Sequence, residues 1–504
     1  MQLQLQLRPG RGGPEADKYD RSTHLIRQPG GIGNTPIADL HPERIMLSPN
    51  AIAARMDRLP SARIHWWPCL LVQMAYGLTT AAGAYVPFLY IFVWSKDFGH
   101  LQYAWLSAVQ LGLGVVVGEL AGGHLADRFG RKKTIVWGSL LAGLGTLVGG
   151  TVAPNYVGLL MATFVQAIGI GFVCVVSAVY MNEFVPPDVR GRITSGAQAT
   201  TGLWAVLALA AAHYLVPEHY RTYIWGLGVA AIVAACALLA APESPRWLAA
   251  KGRWTEANQV VERIERAVQR QRGQLPEPDL REANPPVLPI TEQVTLGELF
   301  RGESLRRTLV VTPAWILGYS GIIFGCEAFM AVHMQSYGFA APQFFLVTIL
   351  IYGPGYAAGA LLASLVNERV ERRTLVCLSA GIFSGALLLI WVFSHVHQID
   401  ALLWVGWALV GTGSGLWLYS MYNYTAGAYP TRLRARAMGL ADGVGRTGAI
   451  FGPVIVVVLG DATAEHGFYG FMLYCAVVGA LVPGLLVGFL GIRQQGASLE
   501  SLSD

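Results

Sequence analysis

Twelve long apolar runs divide this 504-residue chain, near 65–93, 102–125, 133–153, 155–182, 195–216, 222–241, 308–332, 342–366, 374–394, 400–424, 438–460 and 467–492. A helix needs about 20 apolar residues to cross the hydrocarbon core. The runs are continuous and do not alternate, which excludes a membrane β-barrel. Charge in the loops follows the same count. Of 36 Lys and Arg, 33 precede the first run, lie in even-to-odd loops or follow the last run; only Lys96 and Arg221 occupy the opposite loops, and Arg446 is inside a run. Basic loops stay in the cytoplasm, so both termini are expected there. A missed span would invert every later loop. The expected fold is an all-α integral membrane bundle of twelve transmembrane helices in two six-helix halves.

Composition agrees where it bears on alternatives. Only 13% of residues are charged and mean hydropathy is +0.44, against about 25% charged in a soluble domain. The net charge of +5 is accounted for by basic loops beside anionic lipid, with no nucleic-acid partner. Cys69, Cys174, Cys236, Cys326, Cys377 and Cys475 lie singly in apolar runs and read as small hydrophobes. His395 and His397 lack a third ligand, so no metal site is expected. No nucleotide loop or nucleophile–base pair is visible, so neither a cofactor nor an enzyme is expected.

The chain divides into a flexible cytoplasmic tail (1–62, without a signal-peptide core), a first six-helix half (63–242), a cytoplasmic linker (243–306), a second half (307–492) and a short tail (493–504). Within the linker, Trp254, Ala257, Val261, Ile264 and Val268 recur at helical spacing among charges, which predicts an amphipathic helix under the bundle. The halves repeat. GHLADRFGRKKT around Gly123 returns as ASLVNERVERRT around Ala363, and the segment from Glu183 to Arg190 returns from Gly427 to Arg434. Two parallel six-span repeats are a transporter arrangement, with solute held near the midplane between them.

These motifs resemble the major facilitator superfamily over residues 65–492. Gly123, Asp127, Arg128, Gly130, Arg131 and Lys132 fit its signature loop between spans two and three. Pro242 to Leu248 looks like the sugar-porter and organic-ion branches. Tyr429, Pro430, Thr431 and Arg434, followed by Gly445 to Pro453, resemble organic-ion and metabolite–proton symporters. The resemblance implies a cytoplasmic gate network of Gly123, Asp127, Arg128, Gly130, Arg131, Glu183, Arg190, Glu243, Arg246, Arg434, Asp442 and Arg446, in which Asp127 caps a helix of the other half when the carrier faces outward. Helix-end capping is the plainer reading of the same acids. In the second half Asn367, Val370 and Gly427 replace Asp127, Gly130 and Glu183, a thinner network. Span seven reads Leu317 to Ile323 without the amides of the sugar-porter pattern, which disfavours a hexose.

Ionisable groups inside spans are functional by default. Glu327, in the outer half of span seven, and Glu119, on span two, are the candidate coupling acids. Asp442 and Arg446 are one turn apart, at the cytoplasmic end of span eleven by the boundaries above, so gating is their expected role. Uncharged cavity candidates are Gln73, Tyr76, Gln166, Gln198, Trp204, Tyr319, Tyr352, Trp417 and Asn423. The expected function is secondary active transport of a small polar organic solute (a metabolite, organic acid or amine) by alternating access with proton symport. A uniporter, an exporter and a transporter-like nutrient sensor are the alternatives. The expected partners are solute, protons and lipid, with the protein monomeric in a bacterial inner membrane.

Overall fold

The computed structural model describes residues 49–83, 85–278, 296–326, 330, 334, 338–366, 369–392, 400–429, 431–452, 455 and 470–494. Every regular element among them is helical. A short helix, α1 (Pro49–Asp57), precedes the first half. That half comprises α2 (Arg63–Gly83), α3 (Leu101–Phe129), α4 (Arg131–Val152), α5 (Tyr156–Phe184), α6 (Pro187–Leu215) and α7 (Tyr220–Leu238). Helical turns Tyr85–Leu89 and Tyr90–Trp94 prolong α2. The linker folds into α8 (Pro245–Ala250) and α9 (Trp254–Arg272). The second half comprises α10 (Gly302–Cys326), α11 (Ala341–Ala363), α12 (Arg372–Val392), α13 (Asp400–Ala428), α14 (Thr431–Gly445) and α15 (Gly470–Leu490). Among the described residues, nine helices are long and apolar enough to cross a membrane.

The lateral surface is greasy, as a bilayer requires. Leu120 is 73% exposed and Phe489 80%, with Leu144 and Leu388 also outward. Polar residues turn inward: the Glu119 side chain, next to Leu120, is only 10% exposed. Small residues permit the close helix contacts that bury it. A Cβ on Gly171 of α5 would sit 2.6 Å from the backbone nitrogen of Glu119, so only glycine lets α5 press this closely on α3.

Most basic side chains gather at the end formed by the α3–α4, α7–α8 and α11–α12 turns, termed the basic end below; the opposite end is the far end. At the basic end α9 buries Ala257, Val261, Ile264 and Val268 against α8, α1 and α2. Here the structure corrects the tail reading of residues 1–62. Residues 49–57 form α1, and Ile52, Met56 and Leu59 are buried. Their i, i+4, i+7 spacing makes an apolar stripe inside a polar stretch. Arg55 holds α1 down through Glu265 at 2.6 Å and Asn258 at 2.5 Å, and Arg58 reaches Glu265 at 2.6 Å. Residues 1–48 lie outside the described residues.

Candidate functional site

The two halves meet inside the bundle through one ionic cluster. Arg446, just past α14, places its Nε 2.7 Å from Oε1 of Glu119 on α3. Asp442 lies one helical turn back, its Oδ2 3.7 Å from Arg446. Asp442 is held by two phenols: Tyr319 donates to Oδ1 at 2.6 Å and Tyr422 to Oδ2 at 3.1 Å. The Arg446 guanidinium also lies over the Tyr319 ring at 5.5 Å. Trp315 lies tilted against Tyr319 and edge-on to Trp417 and Tyr422 with ring centroids 4.8–5.5 Å away, and donates to Thr425 at 2.9 Å. Tyr76 of α2 and Cys174 of α5 are in electrostatic contact with Arg446 and Asp442.

The depth of this cluster decides its meaning. Glu119 is ten residues before the end of α3, about 15 Å at 1.5 Å per residue. Asp442 is eleven residues into α14, about 16 Å from its start. Both therefore lie inside the bundle, about three helical turns from the basic-end termini of their helices. Asp442 and Arg446 thus stand deeper than the Arg131–Glu183 contacts at the basic end. One guanidinium faces two carboxylates, so a charged cluster carries one excess negative charge. The Arg446 Nε–H is not aligned with Oε1, and both atoms are buried without an aligned hydrogen bond. Asp442, by contrast, takes two well-placed hydroxyls. Glu119 is thus the closer acid to Arg446, whereas Asp442 is held mainly by the two phenols.

Several cavity candidates prove to be internal braces. Gln166 is fully buried within the first half, where it donates to the Ala82 carbonyl and to Thr146, both at 2.6 Å, and accepts from Gln110 at 2.8 Å. Each bond ties α5 to α2, α3 or α4, so a cavity-facing role does not hold for it. Gln73 accepts from Thr201 of α6 at 2.8 Å and contacts the Met181 sulfur at 3.4 Å. Trp204 packs on Gly77, and Tyr352 lies against Tyr356. Asn423 is exposed, and its carbonyl accepts from Arg372 at the basic end, away from the cluster. Tyr319 and Trp417 line the cluster itself. Glu327 and the side chains of Arg190, Gln198 and Arg434 lie outside the described residues.

At the basic end the signature loop is tied to its own half. Arg131 donates to Asp127 at 2.6 Å and to Glu183 at 3.0 Å. Ser244 adds a bond to Glu183 at 2.6 Å. Arg246 donates to the Glu183 carbonyl at 3.1 Å and pairs with Asp57 of the segment bearing α1. Glu243 accepts from the backbone nitrogens of Lys132 and Ser244, both at 3.0 Å. It therefore caps the start of α4, where orphan N–H groups need acceptors. Gly130 holds φ +115°, and a Cβ there would run into the Glu243 carboxylate. Arg128 lies over Phe129. Gly123 faces open space. Asp127 is 74% exposed and bonded to Arg131, a residue of its own half.

Sequence reasoning passed over Gln110, Thr146, Trp315, Tyr422 and Thr425. Trp315 was within reach of it, being one turn before Tyr319. Gln110 could have been noticed as an amide within a span. Nothing in the order of residues says that Glu119 meets Arg446.

Comparison with known proteins places this geometry. Residues 75–500 match the family described as "Sugar (and other) transporter". The niacin transporter NiaP of Acinetobacter baylyi is 29% identical over 464 residues, covering 90% of this chain and 99% of that protein. The inner membrane metabolite transport protein YdjE of Escherichia coli is 28% identical over 472 residues, covering 90% and 98%. Among solved structures, the major facilitator superfamily proton:xylose symporter XylE superposes with a TM-score of 0.62 at 15% identity, over 87% of this chain and 98% of that one. The relatives are transporters. This chain, a multi-pass integral membrane protein and a secondary transporter rather than an enzyme, belongs to the sugar (and other) transporter family.

Proposed function

We propose that the chain is a proton symporter for a small organic acid, working by alternating access across a bacterial inner membrane. In this reading twelve helices span the bilayer and the basic end faces the cytoplasm; the distribution of Lys and Arg supports it. The observation that carries it is the Glu119–Arg446 pair, which joins the halves inside the bundle with both side chains largely buried.

Charge balance supplies the coupling. In the empty carrier Glu119 and Asp442 together leave one excess negative charge around Arg446. A solute carboxylate bound alone would make two, which a low-dielectric midplane opposes. Protonation of Glu119 removes one negative charge and frees the side of the guanidinium that Glu119 occupies. The solute carboxylate then replaces Glu119, and the total charge returns to that of the empty carrier. Empty and fully loaded carriers thus cross with equal charge, whereas a carrier with anion but no proton does not. Trp315, Tyr319, Trp417 and Tyr422 offer aromatic faces beside the guanidinium. A flat ring bearing a carboxylate suits such a site. Niacin, the solute named for the Acinetobacter baylyi relative, has that chemistry. The loss of amides from Leu317 to Ile323 argues against a sugar.

Uptake by proteoliposomes tests the reading, with niacin, benzoate and xylose as probes. An inward acid gradient should drive accumulation of a carboxylate probe, and Arg446→Lys should lose it. Equal uptake of xylose, or a carboxylate uptake indifferent to Arg446→Lys, would contradict the organic-acid assignment.

A further inference from the structure

We infer that the far end is closed by a gate in two parts, a plug of four phenylalanines from spans one and eight and a strap between His213 and Pro342. The inference rests on the alternating-access reading above for its role, and on the far-end geometry for its existence.

The plug crosses between the halves. Phe88 and Phe92 are one turn apart, so they share a face of the first span beyond α2. Opposite them stand Phe344 and Phe345, near the start of α11. Phe88 lies 5.3 Å from Phe344 and 5.8 Å from Phe345, and Phe92 lies 5.4 Å and 6.2 Å from the same two rings. Phe344 and Phe345 are also in edge contact with each other at 5.3 Å. Both are essentially fully buried. Tilted and edge-on rings at these separations are attractive, and together they set four apolar rings across the seam.

The strap lies beside the plug. His213, near the end of α6, places Nδ1 2.6 Å from the Pro342 carbonyl oxygen. A carbonyl only accepts, so Nδ1 carries the hydrogen. This bond also crosses between halves, and α6 packs along α11 around it. The basic-end ion pairs described above join residues of the first half to one another or to the linker and α1. Plug and strap are individually weak, a ring cluster and one hydrogen bond. Such a seal can open when the halves rock, at the modest cost that a populated two-state equilibrium demands.

The test needs no solute. Nitroxide labels carried on ketone-bearing side chains, which leave the native cysteines in place, go at Lys96 and Ala340 for the far end. A second pair at Lys133 and Thr374 reports the basic end. Distances are read by pulsed electron paramagnetic resonance on the full chain in lipid nanodiscs. The parent should show a narrow, short far-end distance. Phe344→Ala should raise the far-end-open population by about tenfold, and His213→Ala should raise it less. Phe344→Leu serves as a milder variant if the alanine form folds poorly. Far-end widening with basic-end narrowing supports the gate and its place in the cycle. Far-end widening with an unchanged basic end supports the gate and defeats the alternating-access reading. Unchanged far-end distances in His213→Ala and in folded Phe344 variants would overturn the gate.

Discussion

The two halves arise from one repeat, yet their basic ends are braced by different chemistry. In the first half an arginine sits between acids: Arg131 binds Asp127 and Glu183, and Ser244 and Arg246 complete the shell. In the second half glycine stands where Glu183 would be. Arg372 there donates to the Asn423 carbonyl and to the Gln494 side chain, both at 3.2 Å. Gln494 in turn donates to the Tyr424 carbonyl at 2.8 Å and, through its backbone nitrogen, to Glu371 at 2.9 Å. Among the described residues this brace runs through carbonyl and amide groups, with the Glu371 carboxylate taking a backbone N–H. Ion pairs tie the first half to the linker and to α1; Gln494 ties the second half to the segment that follows its last span. The lesson is that matched topology does not require matched electrostatics.

Substitutions can break this comparison. The largest effect is expected for Arg131→Ala, which strips the arginine from two carboxylates and leaves Glu183 with Ser244. A loss of about 3 kcal/mol is expected, read as the unfolding midpoint in detergent. In the second half Arg372, which aligns with Lys132, carries the brace; Arg372→Ala removes only bonds to neutral acceptors and should cost about 1 kcal/mol. Equal losses would show that the braces are equivalent after all.

Gly130→Ala comes next. A side chain at φ +115° is strained and meets Glu243, so about 2 kcal/mol should be lost. Its counterpart Val370 already carries a side chain, and Val370→Ala should stay within about 1 kcal/mol. A Gly130→Ala protein as stable as its parent would mean that the signature loop rearranges freely.

A pH dependence separates the halves further. Burial pushes the Glu265 carboxyl up, but hydrogen bonds from Arg55 and Arg58 outweigh it and hold its pKa below the ordinary value of 4.5. A depressed carboxyl stabilises the fold above its unfolded-state pKa, and that contribution is lost as pH falls through the folded-state pKa. The α1–α9 contact should therefore loosen at pH below about 4.5, seen as faster amide exchange in residues 49–57. Glu265→Gln should remove that pH dependence. The smallest effect is expected for Gly427→Glu. A Cβ there meets only the ends of Arg372 and Gln494, which can swing aside, so stability should change by less than about 1 kcal/mol. A double-mutant cycle with Arg372→Ala would show whether an acid at 427 recreates the first half's pair.

Much of the helix order could be read in advance, because a span must be apolar for about 20 residues and loops must sort their arginines. Depth was harder to read. The helix that carries span eleven begins at Thr431, before the apolar run near 438, since Arg432 to Arg436 are helical although polar. Asp442 and Arg446 meet Glu119 inside the bundle, which their distance from the start of an apolar run does not reveal. Helix α1 stayed hidden because its apolar stripe is three residues wide, and its hold on α9 depends on arginines that composition assigns to solvent. The partnership of Glu119 with Arg446 depends on which helices touch, and helix periodicity does not encode that.

The central claim is that Glu119 carries the proton that lets Arg446 release one carboxylate and take another. The direct test compares two activities of Glu119→Gln in proteoliposomes with a carboxylate probe, beside Glu327→Gln. The account predicts that Glu119→Gln keeps solute counterflow, because Arg446 is free to bind, and loses accumulation driven by a proton gradient. Accumulation at the parental level in Glu119→Gln would contradict it, and its loss in Glu327→Gln alone would move the coupling proton to span seven.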